Sequence, residues 1–125
     1  MTPLVTQQEV RDWVVDCFGE KIHNDKIERA FRFLEEALEL FQSIGCNKID
    51  AQMLVDYVFS RPTGETEREV GQVLVTYYAL CSALKVHHDL LGRKELDQCW
   101  DNIDKIRAKG MAKRIVGPSI PGTTT

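Results

Sequence analysis

Apolar residues recur along this chain at the three- and four-residue spacing of helices, and no stretch shows the two-residue alternation of a half-buried strand. Thr6-Gln7-Gln8-Glu9 has the form of a capping box, in which a Thr side chain accepts a free backbone N–H and the Glu reaches back. The helix it opens carries Val10, Trp13, Val14 and Phe18 on one side and stops at Gly19. After the polar link EKIHNDK, a second helix is predicted from about Lys26 to Ile44, ended by Gly45. Asp50 is expected to cap a shorter helix bearing Met53, Leu54, Tyr57 and Val58, which Arg61-Pro62-Thr63-Gly64 breaks. A long helix follows from Thr66 to about His88, a turn at Gly92, and a last helix from about Lys94 to Ala112. The expected fold is all-α, a bundle of four to five helices. Residues 1–112 are expected to form one domain, and 113–125, rich in Gly, Pro and Thr, a flexible tail.

Composition narrows the class without changing this picture. With 125 residues, 43% hydrophobic and 28% charged, the chain fits one globular domain and not a disordered one. The longest nearly uncharged stretch, Val70 to Leu84, is about 15 residues, short of the roughly 18 that a membrane span needs. The N-terminus lacks the basic region and apolar core of a signal peptide, so a cytoplasmic protein is expected, in the host cytoplasm if it is viral. Cys17, Cys46, Cys81 and Cys99 form no C-x-x-C pair and are read as reduced thiols.

The net charge of −3 conceals a division, because residues 105–125 carry +5 and the remainder −8. The acidic body argues against a nucleic-acid partner. It suits a site where acids hold a cation and a few basic residues hold phosphate.

The most informative segment runs from Arg29 to Gln42. On a helical wheel Glu35, Glu36 and Glu39 share a narrow arc with Arg32 and Ser43, while apolar side chains cover most of the remaining circumference. Three carboxylates within one turn repel one another and are costly to desolvate, unless a divalent cation neutralises them. Carboxylate oxygens are the hard donors that Mg²⁺ or Mn²⁺ prefers. A solvated acidic stripe balanced by Arg29 and Arg32 explains the same pattern. Further on, V-G-Q-V-L-V-T-Y-Y-A-L-C-S-A-L is apolar all round and reads as a buried central helix, with Glu69, Gln72 and Thr76 on one face. Gly71 would admit a close helix approach.

Glu35-Glu36-x-x-Glu39 followed by Glu69-x-x-Gln72 resembles the E-E-x-x-E … E-x-x-D signature of MazG-like nucleotide pyrophosphohydrolases, over about residues 26–112. The contexts RFLEEALEL, EVGQVLVTYYALC and W-x-x-I-x-K-I-R-A-K are similar to small members found in bacteriophages. The resemblance implies Mg²⁺ (or Mn²⁺) held by Glu36, Glu39, Glu69 and Gln72, with Glu35 orienting or deprotonating water. It implies triphosphate contacts from Lys105, Lys109, Asn102 and Arg32, with Lys105 also catalytic. The activity implied is hydrolysis of a nucleoside triphosphate to the monophosphate and pyrophosphate, with a purine deoxynucleotide such as dGTP or dATP favoured, by a homo-oligomer. The chain departs from the family at Gln72, whose amide oxygen can ligate but adds no negative charge. A non-catalytic helical interaction module with a decayed metal site is the alternative. For Lys105 and Lys109 a solvated helix C-terminus remains an equal reading. Trp13 and Trp100 read as core residues, and His87-His88-Asp89 as a polar helix end. No G-x-x-x-x-G-K-[ST] or G-x-S-x-G pattern is present.

Overall fold

A computed structural model describes residues 4–115, all helical where regular. In chain order the elements are α1 (Gln7–Phe18), α2 (Glu20–His23), α3 (Lys26–Ser43), α4 (Lys48–Phe59), α5 (Thr66–Leu84), α6 (His88–Asp101) and α7 (Ile103–Ile115). The described residues up to Glu35 and from Asp89 onward form one compact unit, and Glu36–His88 a second. The division falls inside α3. Residues 113–115 belong to α7, and the rest of the expected tail lies outside the described residues. No described helix is long and apolar enough to cross a membrane.

Local signals place most boundaries. The Thr6 hydroxyl accepts the Glu9 N–H at 3.1 Å, and the Glu9 carboxylate accepts the Thr6 N–H at 3.2 Å, so the capping box forms as read. Gly19 and Gly45 end their helices at φ +90° and +102°, a region that glycine enters without steric cost. Other boundaries differ from expectation. The polar link contains the short α2. Asn47, not Asp50, caps α4, accepting the Asp50 N–H at 2.8 Å. Helix α5 stops at Leu84, where Lys85 turns left-handed at φ 58°, and Gly92 lies within α6 rather than at a turn.

Lys85 is the only described non-glycine residue with positive φ. Its N–H reaches the Ser82 carbonyl at 3.1 Å and the Val86 N–H reaches that of Cys81 at 3.2 Å, the paired bonds of a Schellman end. A Cβ in that conformation costs about 1–2 kcal/mol. Lys85→Gly is therefore expected to stabilise the chain by about 0.5–1 kcal/mol, after allowing for the added freedom of the unfolded state. Urea unfolding with an unchanged m-value would measure it.

In the first unit α1 packs on α2 and α7, and Val14, Cys17 and Leu96 are its buried hydrophobic residues. Arg107 from α7 donates to the carbonyls of Cys17 (2.9 Å) and Asp16 (3.2 Å), satisfying the open end of α1. Arg93 from α6 grips both Glu9 carboxylate oxygens at 2.8 and 2.9 Å. That contact holds the Glu9 carboxyl below its ordinary value of 4.5. A lowered carboxyl contributes its stability in full above pH 4.5 and loses it as pH falls through the folded-state value. Arg93→Met should flatten this part of the acid-unfolding profile; an unchanged profile would show that the pair contributes nothing. Solvent reaches both side chains, so the effect is small.

In the second unit the expected burial is not found. Only Cys81 is buried among residues 36–88. Helix α5, read as a buried central helix, leaves Val70, Val73, Leu74, Val75, Tyr77 and Tyr78 exposed among the described residues. Gly71 has nothing within 4 Å of a Cβ built there, so the close approach expected at that glycine is not made among the described residues.

Candidate functional site

Helix α3 begins at Lys26, and the Asp25 side chain accepts the Glu28 N–H at 3.1 Å. This cap brings the first turn of α3 to the position where Glu28 is 5% exposed, the one buried residue of the helix. The arrangement inverts expectation: Ile27, Phe33, Leu34 and Leu38 of the apolar surface are exposed, and a glutamate is inside. Glu28 lies 3.4 Å from the Arg32 Nε and 3.8 Å from an Arg29 nitrogen. The Arg29 guanidinium sits 5.3 Å above the Phe18 ring, a cation–π contact that links α3 to α1.

Arg32 and Glu35, read as a substrate contact and a water-orienting acid, are paired with each other at 3.0 Å. Both are largely shielded, at 18% and 23% side-chain exposure. Arg32 is thus shared between Glu28 and Glu35, with the two carboxylates one turn to either side. Glu28 is the neighbour of these two residues that sequence reasoning passed over. Its signal was available as Asp25-x-x-Glu28, a cap pattern, with Arg32 four residues beyond.

In the second unit Glu36 and Glu39 follow on α3 and are exposed. Glu69 and Gln72, one turn apart on α5, are exposed as well. The Glu69 carboxylate folds over Gly64 in the preceding loop, so closely that a side chain at position 64 would displace it. The Thr76 hydroxyl is engaged with its own helix, donating to the Gln72 carbonyl at 2.9 Å. Among the described residues, no group of three or more His, Cys, Asp or Glu is gathered where it could hold a metal ion. What the chain presents is therefore two pairs, Glu36 with Glu39 and Glu69 with Gln72. Each pair offers hard oxygen donors at one-turn spacing. Mg²⁺ accepts one or two carboxylates when water and phosphate complete its shell, so the donor chemistry fits that ion.

The C-terminal lysines belong to the first unit. A cavity of about 280 Å³ along α6 and α7 is lined by Glu95, Gln98, Cys99, Asn102, Lys105, Ile106 and Lys109. Asn102 marks the boundary between the two helices, and its side-chain amide donates to the Gln98 carbonyl at 2.9 Å. Asn102, Lys105 and Lys109 are thus brought to one concave surface, as their three- and four-residue spacing implies.

Other residues take structural roles. His88 stacks on Tyr78 with ring centroids 4.2 Å apart, a packing contact. All four cysteines are free; Cys17 and Cys81 are buried. Partial desolvation, with the neighbouring Cys81 thiol, raises the Tyr77 hydroxyl above its ordinary value, although the residue as a whole is exposed. Trp100, expected in the core, is 41% exposed.

Compared with family models, curated proteins and solved structures, the chain finds no match in any of the three.

Proposed function

We propose that the protein is a metal-dependent nucleoside triphosphate pyrophosphohydrolase of the MazG-like kind. The observation that carries the reading is the pairing of exposed oxygen donors on two helices, Glu36 with Glu39 on α3 and Glu69 with Gln72 on α5. A lysine- and amide-lined cavity on α6 and α7 supports it. A divalent ion, when bound, supplies charge neutralisation at phosphate and a more acidic water. Glu36, Glu39, Glu69 and Gln72 are the residues that would hold it. Lys105 and Lys109 offer ammonium donors to phosphate oxygens, and Asn102 an amide hydrogen bond. Arg32 holds the Glu35 carboxylate in place at 3.0 Å, and Glu35 would accept a proton from water. The products would be a nucleoside monophosphate and pyrophosphate, with purine deoxynucleotides the first substrates to try.

The test is pyrophosphate release from a panel of deoxynucleotides and ribonucleotides with Mg²⁺, Mn²⁺ or EDTA. Release that requires the metal is the expected result. A folded protein that releases none would leave the interaction-module reading, which the exposed apolar surface of α4 and α5 favours.

A further inference from the structure

Gly64, in the loop between α4 and α5, differs from the other glycines in what its missing side chain leaves room for. Gly19 and Gly45 take positive φ, the conformation that calls for glycine at those two helix ends. Gly64 is not among the positive-φ glycines, so its φ is one that alanine also adopts. Space is what sets it apart. A Cβ built at Gly71 meets nothing within 4 Å, and one at Gly92 meets a Val5 methyl at an ordinary 3.7 Å. At Gly64 it would fall on the Glu69 carboxylate, with the Glu69 Cδ at 3.2 Å and Cγ at 3.4 Å. All three nearest atoms belong to that one side chain. Helix geometry prepares the meeting. Side chains lean towards the N-terminus of their helix, so Glu69, in the first turn of α5, leans back over the loop. Its own N–H is bonded to the Glu65 carbonyl at 3.0 Å, which fixes where the side chain starts.

We propose that Gly64 is a positioning residue for the metal donors on α5: its missing side chain reserves the place from which the Glu69 carboxylate meets a divalent ion. The inference rests on the nucleotide-hydrolase reading, in which Glu69 and Gln72 help to hold that ion. Glu69 carries the only negative charge of this pair, because Gln72 brings a neutral amide. The placement of one carboxylate therefore decides how much charge α5 delivers to the ion. On α3 the Glu35 carboxylate is held by Arg32 at 3.0 Å. At Glu69 the room beside Gly64 takes that part. A methyl group at position 64 would turn the carboxylate aside and leave the fold intact, since the atom it meets is the tip of an exposed, flexible side chain. Glu69→Asp ends one carbon sooner, about where the Glu69 Cδ stands, and would pass the same methyl with a small adjustment.

Mn²⁺ binding by the full-length protein without nucleotide, read from the electron spin resonance of the free ion, tests the inference. The unaltered protein should bind Mn²⁺ and melt at a higher temperature when the ion is added. Gly64→Ala should bind it about 10- to 100-fold more weakly, the range for losing a group that orients a metal ligand. Without metal it should melt as the parent does. In a Glu69→Asp background, Gly64→Ala should leave Mn²⁺ affinity unchanged, the coupling expected of two positions that share one space. Binding that Gly64→Ala leaves intact overturns the inference alone, as does an equal loss in both backgrounds. A metal-free melting temperature several degrees below the parent makes Gly64 a residue of the fold and also overturns it. A folded parent that binds no Mn²⁺ overturns it too, and pyrophosphate release then judges the hydrolase reading separately.

Discussion

Glu28→Ala is expected to destabilise the protein by about 3 kcal/mol, the low end for breaking a buried ion pair from one side. The cost arises because Glu28 is 5% exposed and faces two guanidinium groups, Arg32 at 3.4 Å and Arg29 at 3.8 Å. Removing it takes away a carboxylate that both guanidinium groups face, while Arg32 keeps Glu35. The midpoint of thermal unfolding should fall by roughly 10 °C. Glu28→Gln, which keeps the shape and loses the charge, should cost less. Pairing it with Arg32→Met gives a double-mutant cycle whose coupling isolates the charge interaction. A Glu28→Ala protein that melts within a degree of the parent would show that the pair contributes little.

Glu39→Gln is expected to reduce metal-dependent pyrophosphate release on the order of 100-fold or more, because one carboxylate charge at a divalent ion is worth several kcal/mol of transition-state stabilisation. Glu39 is exposed, so the amide should leave the fold and melting behaviour intact. Glu67→Gln, which removes a charge from the first turn of α5 and lies outside the proposed donor set, is the matching control. Gln72→Asp works in the opposite direction and should tighten metal binding. Activity retained in Glu39→Gln would remove the residue from the site. Equal losses in Glu39→Gln and Glu67→Gln would point to general charge and not to ligation.

The helices were legible because their ends are written in local chemistry. Thr6 and Glu9, Gly19 and Gly45 each act within a few residues, so composition alone locates them. The choice of Asn47 over Asp50 as a cap was not legible, since either side chain can accept a backbone N–H and only the realised backbone decides. Burial failed in a more instructive way. Periodicity tells which faces of α3 and α5 avoid water, not what covers them, and the described residues leave them open. The pairing of Arg32 with Glu35 followed from their spacing, and the gathering of Asn102, Lys105 and Lys109 did too. Bringing acids from α3 and α5 around one ion depends on tertiary placement, which no spacing along a single helix encodes.

The position of Arg107 changes how the basic C-terminal segment should be counted. Its guanidinium is committed to the last carbonyls of α1 and to Asp104 at 3.2 Å. A phosphate-bearing ligand arriving at the α6–α7 cavity therefore meets two ammonium groups from residues 105–109, not three cations. Each neutralised phosphate contributes close to one unit to the salt dependence of polyanion binding. The slope against ionic strength should accordingly be shallower than the sequence charge suggests, and Arg107→Gln should lower the melting temperature while leaving that slope unchanged.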